Sequence, residues 1–511
     1  MNGVLKHKYF LILLILLLGA SLRLFNLTKA VPALSQDELV TGYDSYCLSQ
    51  NLHDHHGAFL PFIPESFGDW TSPFINYVSM PVAALLGLND YATRLPVSLL
   101  GIASIFLFYV LIQKIFNDQR IALIAAFLLA TAPFAISLSR WAVPPSTVPF
   151  TMLLFFNTFF WAKDKPTILR FIWVGITAVL VVYSYPTMKL FFPPMVAILG
   201  LLYFKDYQWK ALPGVILFLV LIAPLYYLAL RYPEIYNARF KNISLAASGE
   251  PFISGFITRY ISYFLPYFYF GKGDEFMLHH VPGFGSIQEV LAFFSYAGIA
   301  FVIANALGKI NFIDRRLSIF LLLYFIIAPI PAALTIHKYT MLRNIHTVLL
   351  MLIFAVMGIQ VILSNIQNQK IQRIIVTGLI VVVMLSTLNF SYYYFKQYKL
   401  DAQKDYHYGI KEVFVFLEEH DSEFQRVEIN TDVTQDHGIL EPYIYYLYYH
   451  HIAPGTYDTK EMTTHLGKYY FMPVSVAPLL DATPIFVFPY GTQGNAYKVY
   501  QKEPGLYQVI Q

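Results

Sequence analysis

Eleven apolar runs, each at or near the length that crosses a bilayer, constrain this 511-residue chain more than any other feature. They lie near 9–27, 95–116, 121–138, 148–161, 171–185, 190–204, 211–230, 287–307, 317–334, 348–363 and 374–390. A helix rises 1.5 Å per residue, so about 20 apolar residues span the hydrocarbon core. Several runs fall below the roughly 17 residues usually needed, which leaves their ends loose. Hydrophobic residues make up 57% of the chain and charged residues 13%. Soluble domains carry roughly a quarter charged. The expected fold class is therefore a polytopic α-helical membrane protein. The first run follows Lys6 and Lys8, is apolar except near Arg23, and leads to no small-x-small cleavage site. It reads as a retained anchor rather than a signal peptide.

Basic residues accumulate on the cytoplasmic side of membrane proteins, so the short connections report orientation. One side carries Lys6, Lys8, Lys114, Arg120, Lys163, Lys165, Arg170, Lys205, Lys210, Lys309, Arg315, Arg316, Lys370 and Arg373, fourteen in all. The other carries four: Arg140, Lys189, Lys338 and Arg343. The N-terminus is expected in the cytoplasm, and an odd number of spans puts the C-terminus outside, in a multi-pass protein of the cell membrane. Three larger pieces then fall on the external face: 28–94, 231–286 and everything after 391. Within the second, 252–270 holds nine Phe or Tyr and reads as a helix in the interface. From 396 onward charge rises. Ile410, Val413, Phe414 and Leu417 recur at helical spacing beside strand-like runs such as Pro484–Phe488. The domain division expected is a transmembrane domain over 1–393 and a small soluble α/β domain over 394–511. The net charge of +4 includes no basic tract, so nucleic acid is not an expected partner. The single cysteine, Cys47, excludes an intramolecular disulfide and any multi-cysteine metal site.

The acids of the first external segment head a helix. In Ser35-Gln36-Asp37-Glu38, Ser35 and Glu38 form a capping box, each side chain satisfying an orphan backbone donor, and local sequence favours that reading for Glu38. Asp37 is not needed by the box. It sits in the first turn, where the helix dipole favours an ionised carboxylate. Thr41 and Asp44 share its face, but Asp44 is two turns away, roughly 10 Å, too far to share a proton or a metal.

Histidines gather twice, as His53, His55 and His56 around Asp54, and as His279 and His280 near Asp274 and Glu275. A divalent metal is a candidate cofactor there. The first group lacks an i, i+4 ligand pair, however, and histidines at an interface usually meet water or headgroups, so no confident metal ligand is assigned. In the tail, Tyr443, Tyr445, Tyr446, Tyr448 and Tyr449 have the spacing of a packed helix rather than of a sugar-stacking platform.

Several segments, in order, resemble one superfamily. Leu34–Leu48, LSQDELVTGYDSYCL, is similar to the acidic first external loop of the C-type glycosyltransferases that include protein O-mannosyltransferases and lipid A aminoarabinose transferases. Asp69–Gly101 resembles their proline-containing helix, Leu-x-Gly turn and Arg-Leu-Pro entry into the second span. Ala125–Arg140 resembles the third span with its closing Ser-Arg. Pro331–Gly358, with ALT and then LRN before an apolar span, resembles the last external loop of bacterial members with a soluble tail. Many members carry an acid soon after the Ser-Arg, whereas this chain has Trp141-Ala-Val-Pro-Pro-Ser. The part of that second acid is absent or falls to Glu38, Asp69 or Glu65.

The resemblance implies a C-type fold and a glycosyltransferase that moves sugar from a polyprenyl-phosphate-linked donor to a glycan, lipid or protein acceptor at the external membrane face. It implies Asp37 as the base for the attacking hydroxyl or amine, consistent with an inverting displacement that needs one carboxylate. Arg94 is expected to pair with the first-loop acids and, with Glu38, to hold Asp37. A leaving phosphate needs fixed cations, for which the candidates are Arg343, Arg140 and Lys338; Lys189 reads as snorkelling to headgroups. The stretch 271–285, with Asp274, His279 and His280, resembles the mobile loop over the donor in relatives, its glycines fitting a lid. The alternative is a lipid-linked sugar flippase without chemistry. A transporter favours ionisable groups near mid-bilayer, and here the acids gather outside the runs.

Overall fold

The computed structural model describes residues 2–236, 238–271, 273–274, 276–403, 405–407, 410–423, 427–431, 441–472, 498–503 and 506–510. Pro484–Phe488 and Glu275 lie outside the described residues. All eleven runs fall on helices, and among the described residues six helices are long and apolar enough to cross a membrane: Asp90–Phe116, Pro186–Tyr207, Leu212–Arg231, Arg315–Ala333, Leu342–Ser364 and Gln369–Lys396. Shorter apolar helices include Tyr9–Leu24, Gln119–Thr131, Ile168–Val182 and Leu291–Ala306. Another, Phe74–Leu86, holds Pro81 and lies outside the eleven runs.

The chain divides into two compact units. One comprises Met1–Phe25, Gly68–Phe74 and Val97–Tyr393; the other comprises Asn26–Phe67, Ile75–Pro96 and Tyr394–Gln511. Residues 28–94 therefore belong largely with the tail rather than with the helices that flank them in sequence.

In the helical unit, Ile345–Ser364 is apolar all round and buried on nearly every face, which marks it as the centre of a bundle. Leu291–Ala306 crosses it where glycines remove the side chains from both surfaces. An added Cβ at Gly298 would collide with the Phe354 carbonyl, and one at Gly358 with the Phe294 carbonyl. Gly175 and Gly214 do the same for Ile168–Val182 against Leu212–Arg231. Close backbone approach through small residues is the usual device where lipid offers no hydrophobic drive between helices.

The run 121–138 is not one helix. Gln119–Thr131 stops, and Pro133–Leu138 restarts. Pro133 has no N–H for the Leu129 carbonyl, and the Phe134 N–H turns instead to the Ser286 carbonyl at 3.0 Å. The freed acceptors are satisfied from elsewhere. Arg23, wholly buried on the first helix, donates Nη2 to the Leu129 carbonyl at 3.2 Å and Nη1 to the Ala130 carbonyl at 3.0 Å. Gln288 Nε2 donates to the Thr131 carbonyl at 2.7 Å. Such a break at membrane depth persists only when its backbone groups are re-satisfied in this way.

Residues that the charge pattern assigns to one membrane side meet in this unit: Lys163 pairs with Asp314 at 2.7 Å and Arg316 with Asp206 at 2.7 Å. The aromatic stretch 252–270 forms Phe252–Ser262 and Pro266–Phe270. Ile253, Ile257 and Ile261 are exposed on the first of these, while Arg259 turns inward to Glu250 and the Ile336 carbonyl.

The other unit is built on a sheet of three short strands, with Tyr469–Met472 at its centre. Val427–Asn430 runs parallel to it in the register Val427 to Tyr469, and His465–Leu466 runs antiparallel. Ile410, Val413, Phe414 and Leu417 are all buried on the helix Ile410–Glu419, as their spacing predicts. They share one core with Leu39, Val40, Tyr43 and Cys47 of the first-loop helix Gln36–Asn51, and with Tyr443, Ile444, Leu447 and Tyr448 of the helix Tyr443–Tyr449. The tail tyrosines Tyr443, Tyr445, Tyr448 and Tyr449 are buried packing residues.

Candidate functional site

The helix Gln36–Asn51 begins at an extended Ser35, and Glu38 serves two masters at once. Its Oε2 accepts the Ser35 N–H at 2.9 Å, which is the capping contact. The same carboxylate takes Arg94 in a two-point pair, Nε to Oε1 at 2.7 Å and Nη2 to Oε2 at 2.9 Å. Both side chains are shut off from solvent, and Arg94 Nη2 also donates to the Ala33 carbonyl at 2.7 Å. The capping and ion-pair readings of Glu38 are therefore both true. Removing one partner of such a buried pair strands the other charge, typically at a cost of about 3–5 kcal/mol.

Asp37 has the opposite environment. It is exposed while Gln36, Glu38 and Leu39 on either side are buried. The chain thus fixes the first turn through Glu38 and turns the neighbouring carboxylate outward, beside the positive end of the helix dipole. Asp44 belongs elsewhere. It is buried and accepts the His55 N–H at 3.0 Å, His55 Nδ1 at 2.6 Å and Asn76 Nδ2 at 3.2 Å. Tyr443 Oη lies 3.4 Å from His55 Nε2, and Tyr457 donates to the His55 carbonyl at 2.9 Å. Burial works to lower the His55 imidazole, but Asp44, by its charge and its hydrogen bond, outweighs that and holds it above its ordinary value. Burial and the Asp44 charge push the Asp54 carboxyl up to about 6. Among the described residues, no three His, Cys, Asp or Glu side chains converge as a metal-ligand set.

The helical unit carries the cations. Arg140 is buried, and its Nη1 donates to the Arg23 carbonyl at 2.7 Å and the Leu22 carbonyl at 3.3 Å, where the first helix ends. Arg343 is half-buried in the turn Leu342–Asn344 and donates Nη1 to Thr335 Oγ1 at 2.9 Å. Lys338 is exposed, its Nζ 5.4 Å from the Tyr339 ring centre. Lys189 is half-buried and close enough to Asp69 to feel its charge, a partner that spacing does not reveal.

Asp274 is the anchor of the stretch 271–285. It is buried, and its Oδ2 accepts both His279 Nδ1 at 2.9 Å and the Met341 N–H, two residues before Arg343. Its Oδ1 accepts the Phe276 N–H at 3.0 Å. Burial would raise this carboxyl, but the His279 contact and the two backbone donors hold it below the ordinary carboxylate range. The His279 ring lies 5.9 Å from that of Trp141 and 5.0 Å from that of Phe276. His280 Nδ1 lies 3.4 Å from the Phe276 carbonyl, and its ring lines a small cavity with Phe134, Met341 and Phe390. Burial, then the Arg343 charge, lowers the His337 imidazole.

Residues 71–228 match the dolichyl-phosphate-mannose-protein mannosyltransferase family. Over 145 residues the chain is 29% identical to YkcB of Bacillus subtilis, which carries the name of a mannosyltransferase. That match takes in 28% of this chain and only 19% of the relative's length. The oligosaccharyltransferase AglB from Archaeoglobus fulgidus, solved with an inhibitory peptide and a dolichol-phosphate, is similar with a TM-score of 0.52 at 14% identity. The likeness covers 88% of this chain and 64% of AglB.

This chain has the C-type glycosyltransferase fold. ArnT from Cupriavidus metallidurans, solved bound to undecaprenyl phosphate, is also similar, with a TM-score of 0.48 at 13% identity, over 91% of this chain and 78% of that one. In the C-type fold found here, the family match includes Arg94, Arg140 and Lys189, and ends before Asp274, His279 and Arg343.

Proposed function

We propose that the protein is a membrane glycosyltransferase that takes its sugar from a polyprenyl-phosphate-linked donor and transfers it, with inversion, to an acceptor hydroxyl or amine. The observation that carries this reading is the exposed Asp37 carboxylate on a helix turn held by the buried Glu38–Arg94 pair. In the displacement, the acceptor oxygen or nitrogen bonds to the anomeric carbon as the bond from that carbon to the phosphate oxygen breaks. The electron pair leaves with the phosphate, and Asp37 takes the acceptor proton. The phosphate gains charge, which Arg343 and Lys338 offset. Arg140, whose Nη1 is committed to helix carbonyls, has the lesser share. The reading sets the site at the external face of the cell membrane, with the N-terminus cytoplasmic and the tail extracytoplasmic.

The test uses the full purified chain and a panel of labelled polyprenyl-phosphate sugars, following release of polyprenyl phosphate. Asp37→Asn keeps the residue's size and is expected to lower the rate at least about 100-fold with the melting temperature unchanged. Glu38→Gln is expected to lower stability by about 3–5 kcal/mol. Wild-type transfer by Asp37→Asn would overturn the assignment.

A further inference from the structure

The loop 52–62 has its polarity inside out. Its single acidic or basic residue apart from histidine, Asp54, is buried, and its Oδ1 accepts the His56 N–H at 3.0 Å and the Ala58 N–H at 2.8 Å. His55 is buried against Asp44, and the Asn51 side chain takes the His53 N–H at 2.9 Å. The apolar groups point the other way. Leu52, Phe59, Leu60 and Phe62 are exposed, Phe59 over 62% of its surface. Single exposed apolar residues are ordinary, but four in one short loop that buries its own polar groups mark a surface made for an apolar neighbour.

The cluster is also rigidly presented. His53 and Phe59 pair across an antiparallel bridge, flanked by bonds from the Leu60 N–H to the Leu52 carbonyl at 2.9 Å and from the Asp54 N–H to the Ala58 carbonyl at 3.0 Å. Leu52 and Leu60 both have positive φ, 64° and 43°, a conformation that glycine and asparagine adopt far more readily. Leucine at both positions strains the backbone and keeps an apolar side chain on the surface.

The chain that follows the loop indicates what covers it. Tyr77 Oη donates to the Pro61 carbonyl at 2.9 Å, which ties the loop to the helix Phe74–Leu86. On the same side of that helix as Tyr77 lie Pro81, Ala84 and Leu85, all exposed, Leu85 over 83% of its surface. No charged residue or histidine stands between Asp69 and Asp90. Asp90 opens a helix of 27 residues. Such a helix is about 40 Å long against a hydrocarbon core of about 30 Å, so its first turn stands at headgroup level. Tyr91 is exposed there, as aromatic residues at that level commonly are. Leu85 precedes Asp90 by five residues and is within reach of the same bilayer surface.

We propose that the loop 52–62 inserts Phe59, Leu60 and Phe62 into the bilayer leaflet in which the helix Asp90–Phe116 begins. The partner is the lipid surface itself, met through apolar area rather than headgroup charge, because the loop exposes no Lys, Arg, Asp or Glu. Leu52 is also the C-cap of the helix Gln36–Asn51, so an inserted loop fixes the depth of that helix's end. Insertion requires nothing of the sugar donor or of Asp37.

The test uses the full chain in a Cys47→Ala background, reconstituted in phosphatidylcholine vesicles, with a nitroxide on one cysteine at a time: Phe59→Cys, Phe62→Cys, or Asp458→Cys as an exposed comparison outside the loop. At Phe59 and Phe62 the ratio of collisions with oxygen to collisions with a water-soluble nickel complex is expected to exceed that at Asp458 at least about tenfold, since hydrocarbon excludes the polar complex and admits oxygen. Adding anionic phosphatidylglycerol is expected to leave the ratio unchanged. All three labels replace exposed side chains, and an unchanged melting temperature checks that each labelled chain is folded. If both loop labels meet the nickel complex as freely as the Asp458 label does, the loop lies in water and the proposal fails. Shielding from oxygen and nickel alike would show that protein covers the cluster, which overturns it equally, and dipolar broadening between labels would identify that protein as a second copy. Insertion seen only with anionic lipid would mean that headgroup charge drives it, against the apolar contact proposed.

Discussion

His55 is an imidazole sealed between an anion and a phenol, and its protonation bears on the stability of the unit that contains it. Its folded value lies above the unfolded one, so the stability it contributes is fully present below about 6.5 and is lost as pH rises through the folded value. Two neighbours act between about pH 4 and 6.5 and oppose each other. Asp54, pushed up to about 6, binds a proton more readily in the folded state, and His56, driven down to about 3 by burial and by His55, binds one less readily. Of these three groups, His55 alone acts above pH 6.5. The melting temperature is expected to fall there, with a slope of at most about 1.4 kcal/mol per pH unit, and His55→Gln is expected to flatten it. A wild-type profile that is already flat from pH 6.5 to about 7.5, below the range in which Lys189 titrates, would sink this account. Legibility at this scale follows distance in sequence. The Ser35–Glu38 cap is readable because its partners are three residues apart. Arg94 on the same carboxylate was expected only through resemblance, and the use of His55 on Asp44 was not readable at all, since eleven residues and a change of direction separate them.

Among the elements, apolar runs declare helices well and their interruptions poorly. The run 121–138 reads as one span because Pro133 lies among apolar neighbours, and nothing local shows that Arg23 and Gln288 take up the carbonyls it frees. Helix crossings are equally silent, since a glycine in an apolar run has the same appearance whether it faces lipid or another backbone. Gly298 and Gly378 make the contrast testable. The first has the Phe354 carbonyl where a side chain would go, and the second has open space. Gly298→Val is expected to destabilise the bundle by about 3 kcal/mol or more, whereas Gly378→Val should leave the melting temperature within a degree or two. Equal effects at the two sites would show that the crossing of Leu291–Ala306 with Ile345–Ser364 is not as tight as described. Two strands of the tail's sheet, His465–Leu466 and Tyr469–Met472, escaped the alternation pattern because aromatic residues crowd both faces.

For the whole molecule, the proposed orientation can be read with cysteine chemistry, because the one native cysteine is buried. In a Cys47→Ala background, single cysteines replacing the exposed Lys309 and Lys370 are expected to resist a membrane-impermeant maleimide in intact cells. Those replacing the exposed Ser248 and Asp458 are expected to react. Labelling at Lys309→Cys in intact cells would reverse the assignment. The charge asymmetry across short loops suggested that orientation, but the division into units was beyond it. Residues 26–67 and 75–96 join the tail through a shared apolar core, and hydropathy does not tell which partner a buried leucine will find.

Arg23 has a consequence for how such a chain is made. It rides on the first helix, yet the Leu129 and Ala130 carbonyls that receive it are synthesised more than a hundred residues later. Until they emerge from the ribosome, the guanidinium has only its own helix and the membrane surface to turn to, and a charge there resists settling into the hydrocarbon. The first helix is therefore expected to reach its final depth only once residues 129 and 130 have been made and can receive the arginine.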